Sequence, residues 1–167
     1  MKYRIRKAQD VSKMCAVCGQ INPLSLKAKF YELESDELLG VFTPCEEHQG
    51  YPGRMHGGIA TAAVDETIGR AINIIQPGTW GVTVSLNVRF RKPVPLDREM
   101  HAIARITGDS SRLFEGAGEI VLDDGTVAVE ASGTYMKLPI DRIAGGDVSD
   151  QIVPDPRELP IDVELSD

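Results

Sequence analysis

The chain has 167 residues, of which 42% are hydrophobic and 26% are charged, and its formal net charge is −7. This composition is typical of one globular domain and excludes an intrinsically disordered chain. The negative charge disfavours nucleic acid as a partner. Apolar runs are too short to cross a bilayer and the N-terminus lacks an apolar signal segment, so we expect a cytoplasmic protein with no membrane partner.

Three parts are predicted along the chain. A polar lead-in covers residues 1–23, the main domain covers 24–138, and an acidic, Pro-containing tail covers 139–167. We expect the tail to be extended or partly disordered. The main domain begins with a predicted hairpin, with strands over 24–34 and 38–43, followed by a loop over 44–54 that is rich in Pro and Gly.

A long helix is predicted over residues 57–75 because its apolar residues recur at helical spacing. The stripe consists of Ala60, Val64, Ile68, Ala71 and Ile75. Pro77 and Gly78 end the helix. Gly57 and Gly58 are weak helix formers in its first turn, so their presence calls for a reason beyond helix propensity.

Four strands are predicted after the helix, beginning near Trp80. The first alternates apolar residues with polar ones and has Thr83 on its polar face. The others lie at about 99–107, 113–122 and 126–138, with a tight-turn signal at 123–125. One helix on an antiparallel sheet leaves the opposite face of the sheet uncovered, which predicts a homodimer.

The start of the predicted helix carries the residues best suited to chemistry. Gly57 and Gly58, after His56, allow a ligand to approach backbone N–H groups at the positive end of the helix dipole, which suits a carbonyl oxygen gaining negative charge. Asp65, two turns later, has small helical neighbours and can act as a base or nucleophile.

The helix separates these two groups. Eight residues at roughly 1.5 Å each place Gly57 about 12 Å from Asp65 along the axis. One carbonyl carbon does not easily reach both groups within one chain. An antiparallel helix from a symmetry mate can place its Asp65 beside this Gly57, which predicts a site at a dimer interface.

The string H-G-G-x-x-x-x-x-x-D, from His56 to Asp65, resembles the hotdog-fold thioesterases of the 4-hydroxybenzoyl-CoA thioesterase superfamily, PaaI type. The resemblance extends from about residue 15 to 138 and includes the C-x-x-C-G-x-x-N-P segment that begins at Cys15. It implies an α+β hotdog fold, in which an antiparallel sheet wraps one long central helix. It also implies dimers that join their sheets edge to edge and sometimes pair into tetramers.

By this resemblance, the protein hydrolyses acyl-CoA thioesters at the dimer interface and needs no cofactor for catalysis. The Gly57 N–H polarises the thioester carbonyl beside His56, and Asp65 of the opposite subunit activates water or attacks directly. Thr83 matches a hydroxyl position that helps to place the water. The acyl group, the thiol carrier (coenzyme A or an acyl carrier protein) and the choice between dimer and tetramer stay open.

One position departs from the family pattern. Related enzymes often carry Asn six residues before the His, and this chain has Gly50 there. Gln49 is a candidate substitute for the missing contact to substrate. The departure leaves open a non-catalytic acyl-CoA-binding or regulatory role. A dehydratase is a weaker alternative, because it would need His56 as its base.

Two further groups of residues have alternative interpretations. Basic side chains near the strand ends either bind the phosphates of coenzyme A or only keep the surface soluble. These side chains are Arg91, Lys92 and Arg112. Gly58 and Gln49 are the other predicted substrate contacts. The second group is a predicted structural zinc site, since the open ends of the predicted hairpin bring two C-x-x-C/H pairs together. Its ligands would be Cys15, Cys18, Cys45 and His48, with three reduced cysteines as the alternative.

Overall fold

A computed structural model describes residues 2–149, 151–155 and 162–164. Their strands are β1 (Lys2–Ala8), β2 (Val11–Ser12), β3 (Lys29–Leu33), β4 (Leu38–Phe42), β5 (Thr79–Phe90), β6 (Met100–Asp109), β7 (Leu113–Val121), β8 (Val127–Pro139), β9 (Ile152–Val153) and β10 (Asp162–Glu164). The helices are α1 (Gly57–Ile75) and the single turn α2 (Ile140–Ile143).

Eight of these strands form one sheet in the order β10-β1-β3-β4-β6-β7-β8-β5, and all neighbours in it are antiparallel. β2 and β9 form a separate two-stranded sheet. The chain crosses from β4 to β5 through α1, so β5 lies at the far edge of the large sheet. This arrangement confirms the predicted antiparallel sheet with one long helix against it.

α1 lies across one face of the sheet and supplies the centre of the main core. Val64, Ile68 and Ile72 are fully buried, and each such side chain stabilises the fold by roughly 1.5–3 kcal/mol. Ile75, predicted to continue this stripe, is half exposed because it lies in the last turn. The helix ends as predicted, since Gly78 adopts a left-handed φ of 82° that the helix cannot continue.

A second apolar cluster covers part of the opposite face, at the end of the sheet formed by β1, β3, β4 and β6. Its buried members include Tyr3, Leu33, Leu39 and Val121. The expectation of a wholly uncovered second face is therefore wrong. At the other end of the sheet, around β5, the outer face remains polar and exposed, as at Asn87 and Arg89.

The predicted elements differ from the observed ones mainly near the chain ends. The lead-in contains β1, which joins the main sheet beside β3. Residues 24–28 are not a strand, because Lys27 has a φ of 55° and its ammonium group donates to three carbonyl oxygens of the lead-in.

In the tail, α2, β9 and β10 are regular structure. The prediction for the rest of the tail, at residues 150, 156–161 and 165–167, lies outside the described residues. Among the described helices, none combines the length and the hydropathy needed to cross a bilayer.

Candidate functional site

A β-bulge in β5 decides which side chains face the helix. The pairing with β8 shifts between Thr83 and Ser85, so Val84 is an extra residue and is exposed. Because successive strand residues alternate in direction, the bulge turns Thr83 toward α1 while Ser85 faces away. Thr83 therefore does not lie on the same face of β5 as Ser85, as simple alternation of the strand would have placed it.

The Asp65 carboxylate lies where α1 passes over β5 and β8. Thr83 Oγ1 lies 3.0 and 3.1 Å from its two oxygens, and the Tyr135 hydroxyl lies 2.9 Å from Oδ1. Thr83 and Tyr135 are register partners on adjacent strands, which is why both hydroxyls reach one carboxylate. Hydrogen bonds to a carboxylate favour its ionised form and fix its direction.

Tyr135 is a site residue that the sequence analysis missed. It is fully buried and its ring stacks on Phe114 with centroids 5.0 Å apart. Burial, together with the charge of Asp65, raises the pKa of Tyr135, so the hydroxyl keeps its proton and remains a donor. The signal that could have identified Tyr135 is its place in a largely apolar strand. A tyrosine that is buried there needs a hydrogen-bond partner for its hydroxyl.

The strand reaches Asp65 because β5 and α1 approach closely at two glycines. A Cβ atom on Gly81 would lie 2.8 Å from the Gly69 carbonyl oxygen and 2.7 Å from the Phe114 ring. No other residue fits there without displacement of the strand. Gly69 is one of the small helical neighbours of Asp65, but its contact with Gly81 was not predicted from the sequence.

The other predicted group, the start of α1, is arranged differently. His56 is the N-cap residue, and its Nδ1 accepts the Gly58 N–H at 2.9 Å. The Gly57 N–H meets no acceptor among the described residues. The first orphan donor of the helix is thus left for an external oxygen. Phe90, exposed at the end of β5, lies beside Gly57.

The loop before the helix places Gly50, where the chain departs from the family pattern, and its candidate substitute Gln49. The Gln49 side-chain oxygen accepts the Gly53 N–H at 2.8 Å, so it braces its own loop. Gly50 lies against His56, whose Cα would be 3.1 Å from a Cβ at position 50. A larger residue such as Asn would therefore press on the N-cap residue.

The basic residues predicted to bind phosphate do not form one group within the chain. Arg91 is paired with Glu130 at 2.9 Å, and Lys92 is exposed beside it at the Gly57 end of β5. Arg112 precedes β7 at the opposite end of the sheet, where its carbonyl accepts the Lys137 N–H.

The four predicted zinc ligands do not come together in the described part of the chain. Cys45 Sγ lies 3.3 Å from His48 Nδ1, and His48 Nε2 lies 3.0 Å from the Leu24 carbonyl oxygen. Cys15 and Cys18 instead lie under α1 beside Glu66. The hairpin ends do meet, and the Cys15–Cys18 turn stays bonded there through the N–H groups of Leu26 and Ala28. Its two thiols nevertheless lie beside Glu66 of α1, so the four predicted side chains do not form one ligand cluster among the described residues. A hydrogen bond between the two thiols lowers the pKa of Cys15 and raises that of Cys18.

Two cavities, of about 540 and 340 Å³, lie on the outer face of β5, β7 and β8. Their lining is mainly polar and includes Asn87 and Ser132 in both. Neither cavity is lined by Gly57, Asp65 or Thr83. The two candidate groups on α1 therefore lie apart from these cavities, on the other face of the sheet.

Comparisons with known proteins find similarity to thioesterases. Residues 52–129 match the family model described as the thioesterase superfamily. The chain is 26% identical over 113 residues to human acyl-coenzyme A thioesterase THEM5, and 28% identical over 112 residues to mouse acyl-coenzyme A thioesterase THEM4. These matches cover 67% and 66% of this chain but 45% and 47% of the relatives, so the chain spans about half the length of the curated relatives it matches.

Solved structures show the same fold. A thioesterase superfamily protein aligns with a TM-score of 0.68 and 28% identity, over 75% of this chain and 61% of that chain. The PaaI protein of E. coli, from the phenylacetic acid degradation operon, aligns with a TM-score of 0.61 and 16% identity over 68% and 80% of the two chains. A Streptococcus pneumoniae thioesterase solved with coenzyme A aligns with a TM-score of 0.57 and 18% identity over 62% and 82%.

Proposed function

We propose that this chain, a member of the thioesterase superfamily with the hotdog fold, hydrolyses acyl-CoA thioesters to a free acid and coenzyme A at a site shared by two copies. The observation that carries the proposal is the pair of groups along β5. Asp65 is oriented by the hydroxyls of Thr83 and Tyr135, and the Gly57 N–H, near Phe90, has no acceptor among the described residues.

A second copy of the chain can unite the two groups. The outer edge of β5 has no strand partner among the described residues, and an unpaired edge is a template for another strand. If two copies of β5 paired antiparallel with Thr83 opposite Phe90 of the partner subunit, each Asp65 would lie beside Gly57 of the partner subunit. This register supports the dimer, since it joins the two groups that about 12 Å of helix separates in one chain.

The chemistry follows from these two groups. The Gly57 N–H and the positive end of the α1 dipole stabilise the oxyanion that forms on the thioester carbonyl. Asp65 takes a proton from water, the hydroxide attacks the carbonyl carbon, and the tetrahedral intermediate expels the thiolate, which recovers the proton from Asp65. Direct attack by Asp65 through an anhydride is the alternative path.

The thiol carrier is proposed from the relatives and from charge. The curated relatives are named acyl-coenzyme A thioesterases, and one solved neighbour was crystallised with coenzyme A. The proposed pairing would bring Arg112 of one chain to the same end of the joined sheet as Arg91 and Lys92 of the other. Arginine binds phosphate through paired N–H donors, so such a rim suits the phosphates of coenzyme A.

One observation favours a second candidate, a module that binds acyl-CoA without hydrolysing it. Gly50 offers no side chain at the position where related enzymes carry Asn, and Gln49 is held by Gly53. The second polar contact to thioester or water would then be absent. Retention of the Asp65 carboxylate with both of its hydroxyl donors favours the enzyme over this candidate.

Thiol release from a panel of acyl-CoAs distinguishes the two candidates. We expect the wild-type protein to release coenzyme A, and Asp65→Asn to lower kcat by about 10³-fold with KM changed little, because the amide is neither a base nor a nucleophile. Glu66→Gln is the matched control. Glu66 is the next residue on the same helix, but it is directed to Arg70, so its variant keeps the wild-type rate.

Equal rates in the wild type and Asp65→Asn would reject the mechanism. Tight binding of acyl-CoA by both proteins, without thiol release, would establish the binding module instead. Calorimetric titration with a non-hydrolysable acyl-CoA thioether separates that result from a failure to bind.

A further inference from the structure

The pair Cys15 and Cys18 forms a built cluster that the proposed hydrolysis does not use. The Gly19 N–H donates to the Cys15 carbonyl at 2.8 Å and closes the turn that carries both thiols. The two sulfur atoms and a carboxylate oxygen of Glu66 all lie within 4.8 Å of one another. The lead-in therefore places two thiols together against α1.

The two cysteines differ in exposure, and each sulfur accepts hydrogen bonds from donors of its own. Cys15 is half-buried, whereas Cys18 is fully buried. The N–H groups of Val17 and Cys18 donate to the Cys15 sulfur at 3.3 and 3.5 Å. The Cys18 sulfur accepts from the Ser12 N–H at 3.4 Å and from the Arg70 guanidinium at 3.2 Å. Such donors stabilise negative charge on sulfur.

The position and charge of Arg70 favour sulfur chemistry over metal binding at this cluster. Its guanidinium donates to Glu66 at 2.7 Å and to the Asp10 carbonyl at 2.8 Å, and it lies over the rings of Phe30 and Trp80. Its side chain is 5% exposed, so these contacts hold it in place. The held positive charge repels a divalent cation. The cluster also offers three ligands, one fewer than a closed structural zinc site needs.

We propose that Cys15 and Cys18 are a redox-active dithiol, which hydroperoxides oxidise to a disulfide within the chain. Cys15 is the reacting thiol because solvent reaches it, and Cys18 is the resolving thiol because it is buried beside it. This division matches the general chemistry of peroxide-reactive cysteines, which combine an accessible thiolate with a neighbouring second thiol.

The reaction balances in two steps. The Cys15 thiol first releases its proton to water. The thiolate then attacks one peroxide oxygen, so an S–O bond forms and the O–O bond breaks, and the departing alkoxide or hydroxide takes up the proton that was released. The Cys18 sulfur then attacks the Cys15 sulfenic acid, so the S–S bond forms and the hydroxyl leaves as water with the Cys18 proton. Overall, two thiols and one hydroperoxide give one disulfide, one alcohol or water, and a further water.

The test treats the reduced full-length protein with hydrogen peroxide and measures intact mass and disulfide-linked peptides. We expect loss of two hydrogen atoms and one peptide linking Cys15 to Cys18. Cys45→Ser gives the same result, because Cys45 lies with His48 outside the cluster, whereas Cys15→Ser abolishes it. In Cys18→Ser the sulfenic acid persists and reacts with dimedone at Cys15.

Three results would overturn the proposal. They are dimedone labelling at Cys18 or Cys45 in place of Cys15, thiols that survive peroxide unchanged, and stoichiometric zinc in the purified protein with Cys15 unreactive until a chelator removes the metal. These readouts do not use thioester hydrolysis, so the dithiol and the proposed function can fail independently.

Discussion

The two ends of the contact between α1 and β5 differ in whether their key polar groups have hydrogen-bond partners. At the Thr83 end, the Asp65 carboxylate already has hydroxyl donors from β5 and β8 of its own chain. At the Phe90 end, the Gly57 N–H has no acceptor among the described residues, and the adjacent ring is 56% exposed. One end is complete within the chain, whereas the other still has an open donor.

This difference identifies what a second copy would contribute. A hydrogen-bond donor left to solvent, next to an exposed aromatic ring and an unpaired strand edge, can be contacted by a ligand and a partner chain. Substrate and a partner strand would satisfy all three features together. The predictions below alter each end of this contact in turn.

Of the single variants introduced below, the largest loss of activity is expected from removing the Gly57 N–H. Gly57→Pro deletes this donor, and proline suits the first helical position because His56 has a ψ of 133°. We expect kcat to fall by about 10²–10³-fold, the usual cost of one oxyanion donor. Gly57→Ala keeps the donor and adds only a Cβ at ordinary contact distance from Phe90, so near-wild-type rates are expected. Equal losses in both variants would indicate a steric effect.

Mixing the Asp65→Asn and Gly57→Pro variants tests whether Asp65 and Gly57 act together across subunits. In a heterodimer of Asp65→Asn with Gly57→Pro, one shared site has both defects and the other has neither. Random exchange of subunits should restore about a quarter of the wild-type rate, since half of the dimers carry one intact site. Steady-state thiol release after co-refolding measures it. Recovery would not occur if Asp65 and Gly57 acted within one chain.

Smaller losses of activity are expected when one of the hydroxyl donors to Asp65 is removed. Thr83→Val or Tyr135→Phe removes one hydroxyl donor to Asp65, and a hydrogen bond to a charged group is worth roughly 1.5–3 kcal/mol. We expect kcat/KM to fall about tenfold or more, because the carboxylate loses one of the donors that fix its direction. Ser85→Ala, which faces away from α1, is the control. An unchanged kcat/KM in both variants would show that these hydroxyls do not orient the carboxylate.

The smallest effect concerns stability in alkali. The pKa of Tyr135 is raised above 10.0 in the folded chain by burial, so above about pH 10 the unfolded state releases a proton that the folded state retains. This contribution to stability is complete below pH 10 and is lost as the pH rises, by at most about 1.4 kcal/mol per pH unit. The Tm of Tyr135→Phe should decline less steeply than that of the wild type. The exposed Tyr51→Phe should match the wild type, and identical slopes in all three proteins would contradict the prediction.

Much of the fold was predictable from local pattern. The helix over 57–75 has the predicted bounds, because an apolar stripe repeating at 3.6 residues and a Pro-Gly stop are local signals. The strands after it agree to within two residues at most ends. Asp65 and the glycines at the helix start were also identified from spacing, since each belongs to a single continuous element.

Long-range pairing decided the rest. Thr83 faces Asp65 only because the β8 register inserts a bulge at Val84, and Tyr135 joins them from a strand 70 residues away from Asp65 in the chain. Cys15 and Cys18 lie against α1 and not with Cys45 and His48, because the buried Arg70 bonds to the lead-in there. Sequence periodicity thus determined which segments are helix or strand, while the meeting of distant side chains depended on strand register and burial, which no local pattern encodes.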